Sequence, residues 1–199
     1  MTRLPDWTDI SYLARGNVRQ QHAYRALEAL DIFTLLRAYN PILTGTFPIG
    51  IDIEQSDLDI ICEAGRLGAE NEAKGLAAFE DIVREAYGEC SDFRIERTVV
   101  KDIPTVFARF VFDGLPMEIF GQPQPVSEQN AYRHLVVEAR LLGIGGNRAR
   151  REIRKLKRNG LKTEPAFARY FHLGGDPYEV LLRISRLEDD ELREAVLRC

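Results

Sequence analysis

The chain has 199 residues, 45% of them hydrophobic and 29% charged, and a formal net charge of −4. That is the make-up of one ordinary globular domain, or of one domain with a helical extension, and its acidic balance excludes a surface built as a whole to attract nucleic acid or acidic lipid. No apolar run approaches a membrane span, the segment Met1 to Trp7 lacks the apolar stretch of a signal peptide, and three scattered cysteines (Cys62, Cys90, Cys199) form neither a metal pattern nor a disulfide framework, so a cytoplasmic protein is expected.

In chain order, Val18, Tyr24, Leu27, Leu30, Ile32, Leu35 and Leu36 recur at helical spacing and predict a helix from about Asn17 to Tyr39. Asn40-Pro41 ends it. A short strand, Pro41 to Thr44, leads into Gly45, and a loop with turn residues runs to Ser56. A second strand is predicted from Asp57 to Glu63, then a helix from about Ala69 to Tyr87 with Leu76, Phe79, Ile82 and Val83 as its apolar stripe. Strands follow at 93–98, 105–112 and 115–120. Asp113-Gly114 joins the last two as a hairpin turn. Ser127 is the predicted N-cap of the first of five helices, at 128–142, 147–158, 164–172, 176–185 and 188–197. The expected fold is α/β (α+β): a mixed sheet with flanking helices over residues 1–122, then a helical region over 123–199 packed on it.

The chemistry concentrates in the first part. Residues i and i+2 of a strand share a face. Asp57 and Asp59 should therefore point together while Leu58 and Ile60 enter a core. Carboxylates forced together repel unless a cation lies between them or one is protonated. Oxygen clusters of this kind bind hard cations such as Mg2+, usually together with substrate phosphates. A third carboxylate, Glu118, lies on a later apolar strand. Gly45-Thr46 precedes the acids, and glycine lets backbone approach a phosphate closely. Asp113 is a second candidate for the third acid, set aside because Asp-Gly reads as a turn. Asp52 and Glu54 read as solvated loop residues, with outer-shell ligation the alternative.

These residues resemble the active-site signature of the polymerase-beta-like nucleotidyltransferase superfamily: Gly45-Thr46, a loop, Asp57-x-Asp59, and the distant strand acid Glu118. The whole chain also resembles a bacterial family of unknown function assigned to that fold. The resemblance implies that Gly45 and Thr46 hold a triphosphate, that Asp57, Asp59 and Glu118 bind catalytic Mg2+ (or Mn2+), and that Glu118 could activate the attacking hydroxyl. It departs from the pattern in having Thr46 where serine is usual. The implied activity is transfer of a nucleoside monophosphate from a nucleoside triphosphate to a hydroxyl acceptor, which could be a small molecule, a protein side chain or an RNA end; the small size and negative charge of the chain favour a small molecule or protein over long RNA. The alternative is a catalytically silent fold that binds a nucleotide or protein as a regulator of toxin–antitoxin type.

Residues 147–162 carry five Arg and three Lys against one Glu, with Ile153 and Leu156 as a narrow apolar stripe. Two readings stand. Either Arg154, Lys157 or Arg158 reaches a triphosphate in the cleft, or the patch meets RNA, or the helix is simply a solvated basic face. Tyr132 and His134 are positioned for base stacking, with a structural role as the simpler reading. His22 and His172 are isolated and carry no assigned chemistry.

Overall fold

The computed structural model describes residues 5–65, 68 and 70–197. Cys199, residues 1–4 and the predicted helix start at Ala69 lie outside the described residues.

The first predicted helix is broken in two. Asn17 caps α1 (Val18–Ala29) by a reciprocal pair of bonds with Gln20. Asp31 then adopts a left-handed conformation (φ 50°), and a short α2 (Ile32–Leu35) and a 3-10 turn follow. The cause is spacing: Leu30 and Ile32 are two residues apart, so one straight helix cannot bury both. The break lets Ile32 and Leu36 both reach full burial while Leu35 stays 48% exposed.

The strands are β1 (Ile42–Thr44), β2 (Leu58–Glu63), β3 (Ser91–Val100), β4 (Ile103–Phe112) and β5 (Leu115–Gln122), with α3 (Glu72–Tyr87) between β2 and β3. They form one five-stranded mixed sheet in the order β1-β2-β5-β4-β3. β5 runs antiparallel to β4, from which it returns through Asp113-Gly114 at positive φ, and parallel to β2. Alternation then gives the sheet two distinct faces. Leu58, Ile60, Cys62, Met117, Ile119, Ala108 and Phe110 point into a core completed by α1 and α3. Ile42 and Ile61 point the other way, into a second core with the C-terminal helices. Phe120 packs against that second core.

The C-terminal half is helical, as expected, with one correction. Ser127 caps nothing: it lies in a 3-10 turn, Val126–Glu128, and α4 begins at Asn130. The buried Gln129 amide donates to the carbonyls of Cys62 (3.0 Å) and Gln124 (3.2 Å), which pins the chain to the end of β2 before the helix can start. The two helices predicted at 128–142 and 147–158 are the two arms of α4 (Asn130–Arg158), which meet at a kink where Gly146 leaves the helical conformation (φ 60°, ψ −154°). α5 (Thr163–Tyr170), α6 (Pro177–Ile184) and α7 (Asp189–Leu197) follow. Asp176 caps α6 with two 3.0 Å bonds to Tyr178 and Glu179 N–H groups, and Pro177 opens it. No helix among the described residues is long and apolar enough to cross a membrane.

Candidate active site

The strand register builds a polar row straight across the sheet. Thr44 pairs with Asp59, Asp59 with Glu118, Glu118 with Arg109, and Arg109 with Arg94. Residues paired this way share a face. Asp57 lies two residues before Asp59 and joins the same face. The next row, Ile42, Ile61 and Phe120, faces the helical core. The polar row is therefore the edge at which the helices stop covering the sheet.

Gly45 closes on this row. Its φ is +69°, a conformation costly for residues with a Cβ. A Cβ built there would also collide with the Asp59 carboxylate. Both constraints require glycine where the chain turns out of β1. Thr46 is buried, and its hydroxyl donates to Ser56 Oγ at 3.2 Å, which in turn accepts from Ile53 N–H at 2.9 Å. The hydroxyl thus braces the loop, leaving the backbone of 45–46 as the face presented to the cavity.

Among the described residues, none hydrogen-bonds or ion-pairs with the carboxylates of Asp57, Asp59 or Glu118. Burial, then Glu118 and Asp57, push Asp59 up to about 8 against the pull of Lys157. Burial raises Asp57, opposed by Lys162 and Lys157. Burial and then Asp57 raise Glu118, opposed by Arg109 and Lys162. No three His, Cys, Asp or Glu side chains among the described residues are gathered closely enough to hold a metal ion as they stand. The three acids share a face without closing into a coordination shell.

Asp59, Gly45 and Thr46 line a cavity of about 570 Å³ between the sheet and α4–α6, shared with Gln122, His134, Glu138 and Glu164. Asp57 and Glu118 open instead into a groove of about 370 Å³ with Asp92, Arg94 and Arg109. The acid set thus sits on the divide between two compartments.

Of the two basic residues expected here, the fold brings Lys157 to the acids but not Arg154. Lys157 is 7% exposed. Burial lowers its ammonium to about 8, against Glu138, Asp52, Asp59 and Glu164, which favour its charge. Arg154 lies beside Arg150, with its Nε buried and unpartnered. Arg158 is exposed and pairs with Glu54 at 3.2 Å. The loop acids divide accordingly: Glu54 is solvated as expected, whereas Asp52 is buried and holds Arg19 at 3.0 Å. Asp113 is in its turn, paired with His22 at 2.8 Å, which gives that histidine a partner after all.

The family model described as Domain of unknown function (DUF4269) matches residues 25–184, well over half of the chain. The chain belongs to this family. No curated protein sequence matches this DUF4269 chain. Its fold is similar to that of the Cid1 poly(U) polymerase in its MgGTP-bound crystal structure, with a TM-score of 0.53 at 11% identity over 88% of this chain and 54% of that one. The Mg 3′-dATP-bound form gives 0.52 at 11% identity over 88% and 53%. The GLD-2/RNP-8 complex gives 0.50 at 11% identity over 88% and 62%. The DUF4269 chain therefore has the polymerase-beta-like nucleotidyltransferase fold, and it spans only 53% to 62% of the length of these neighbours.

Sequence reasoning missed the acids that the helices of this DUF4269 protein bring to the cavity. Glu138 is 2% exposed, with Oε1 unpartnered, and burial raises its carboxyl well above the usual range. Its signal was legible: it falls at the apolar helical spacing of Leu135, Leu141 and Leu142. For Glu164, burial acts upward but is outweighed by hydrogen bonds from His134 and its own backbone, and the carboxyl ends below its usual value. His134 Nδ1 lies 3.2 Å from Glu164, and its Nε2 lies 3.2 Å from the Tyr178 carbonyl. This is the structural role expected of His134, although the side chain also lines the cavity.

Proposed function

We propose that this protein is a cytoplasmic, Mg2+- or Mn2+-dependent nucleotidyltransferase. It transfers a nucleoside monophosphate from a nucleoside triphosphate to a hydroxyl on a small molecule or protein. The observation that carries this reading is the transverse row itself: Asp59 and Glu118 side by side, Asp57 on the same face, and a glycine that must be glycine pressed against Asp59. The Cid1 neighbours, solved with MgGTP and with Mg 3′-dATP, support it at the level of fold.

The donor set fits the metal. It is all carboxylate oxygen, as hard divalent cations prefer, and its members lack any partner that would otherwise relieve their repulsion. Asp57, Asp59 and Glu118 would hold the cation, which when bound would offset the charge on the reacting phosphates. Gly45 and Thr46 would present backbone N–H groups to the β- and γ-phosphates. Lys157 would add positive charge behind Asp59. The acceptor oxygen forms a bond to the α-phosphorus. The bond from that phosphorus to the oxygen bridging to the β-phosphorus breaks, and pyrophosphate leaves with the electron pair. Glu118 accepts the hydroxyl proton. Residues 1–122 would carry this chemistry and residues 123–199 would wall the nucleotide cavity.

One observation favours the silent, regulator reading: among the described residues the acids are not gathered closely enough to hold a metal ion as they stand. Calorimetric titration of the four nucleoside triphosphates, with and without Mg2+, tests the site, and release of pyrophosphate on turnover separates the enzyme from a silent nucleotide binder. Wild type should bind at least one nucleotide only with Mg2+, and Asp57→Asn/Asp59→Asn should lose that binding. Binding that ignores both the metal and the double substitution would sink the enzymatic reading.

A further inference from the structure

The groove on the far side of the acid set has a charge pattern that the nucleotide reading leaves unused. Arg109 stands next to Glu118 in the row, and Arg94 stands next to Arg109. Both line the groove with Asp57, Asp92 and Glu118. Neither arginine forms a hydrogen bond or ion pair among the described residues. Glu118 is the nearest acid in the row, yet its carboxylate lies beyond ion-pair distance of Arg109. Like charges directly opposite each other on neighbouring strands destabilise a sheet. The fold therefore sets two arginines side by side on neighbouring strands, and among the described residues neither is paired with any of the three acids that share the groove.

Direction matters as well. In an in-line displacement the acceptor arrives opposite the departing pyrophosphate. Gly45 and Thr46, assigned above to the β- and γ-phosphates, face the larger cavity. The opposite approach to the acids is then through the groove, where Glu118 lies beside the arginines. Paired guanidinium groups bind phosphate oxygens in a fork geometry that few other side chains match. A groove of about 370 Å³ has room for a small molecule and not for a folded partner.

We infer that the acceptor is a small phosphorylated alcohol, whose phosphate is held by Arg94 and Arg109 while its hydroxyl lies beside Glu118. The inference rests on the nucleotidyltransferase reading above, and the experiment separates the two. The protein is saturated with Mg2+ and the α,β-methylene analogue of its preferred nucleotide. Ribose 5-phosphate, glycerol 3-phosphate, their unphosphorylated counterparts and a short oligoribonucleotide with a free 3′ hydroxyl are then titrated in. At least one phosphorylated probe should bind about tenfold or more tightly than its unphosphorylated counterpart, and Arg94→Gln and Arg109→Gln should each weaken it by about fivefold or more. Affinity for the nucleotide analogue should stay within about twofold in both variants, the expectation for side chains that do not touch it. Equal binding of phosphorylated and plain probes, or no probe binding to the loaded protein, overturns the acceptor site alone. So does loss of nucleotide affinity in the arginine variants, which would assign them to the triphosphate. Arginine-dependent binding of the oligoribonucleotide only would replace the small molecule by an RNA end. Failure of wild type to bind any nucleotide analogue would instead bring down the reading on which the inference rests.

Discussion

Two groups of acids, one on the sheet and one in the loop and helical wall, are treated by the fold in opposite ways. In the helical wall and the loop, Glu164 is held by His134 and Asp52 by Arg19. On the sheet, Asp57, Asp59 and Glu118 have burial and one another but no hydrogen-bond donor among the described residues, and all three are raised. Burying a charge without a partner is costly. The paired acids hold the architecture together, whereas the unpaired ones are a cost that a proton or a ligand must offset. On the proposed function that contrast separates acids that hold the fold from acids that would hold the cation, with the buried, unpartnered Glu138 as the exception in the helical wall.

Glu118→Gln should have the largest effect on that contrast. If Glu118 takes the acceptor proton, turnover should fall by about 10²–10⁴ while nucleotide affinity changes little. Equal loss of both would make it a plain ligand. Lys157→Met should act on the structural side. Burial lowers the Lys157 ammonium to about 8, so its charge is a cost that Met removes, and stability in denaturant titration at neutral pH should hold or rise.

Asp59→Asn should stabilise the protein while abolishing Mg2+-dependent nucleotide binding. The sign follows from the shift: Asp59 titrates near 4 when unfolded and at about 8 when folded. The folded state therefore binds the extra proton, and Asp59 contributes stability that is complete below about pH 4 and lost as pH rises through 8. Thermal melts of wild type should fall relative to Asp59→Asn across that window. Mn2+ affinity of the wild type should rise over the same range, because the metal and the proton compete for one carboxylate. A variant with the same pH profile as wild type would break the contrast. Gly45→Ala should cost about 1–2 kcal/mol for the left-handed backbone and also displace Asp59, weakening nucleotide binding. Smallest of all, Arg158→Ala should leave both the melting temperature and nucleotide affinity unchanged, since its pair with Glu54 is exposed.

The alternation of Asp57-Leu58-Asp59-Ile60 by itself determined that two acids share a face opposite a core. Asp113-Gly114 determined the hairpin that returns Glu118 to the sheet, and Gly174-Gly175-Asp176-Pro177 the start of a helix. These are local rules of strand period, turn conformation and capping, and they need only neighbouring residues. The break at Asp31 was less legible, because the apolar stripe fits one helix until the core demands both Leu30 and Ile32. The parallel register of β2 with β5 was decided only in three dimensions, because pairing joins residues some sixty positions apart and nothing local encodes it. So were the burial of Lys157 within the field of Glu138 and Glu164, and the strand register that sets Arg109 beside Glu118. In each case the deciding energy is that of burying or juxtaposing charge, which exists only once the helices have closed over the sheet.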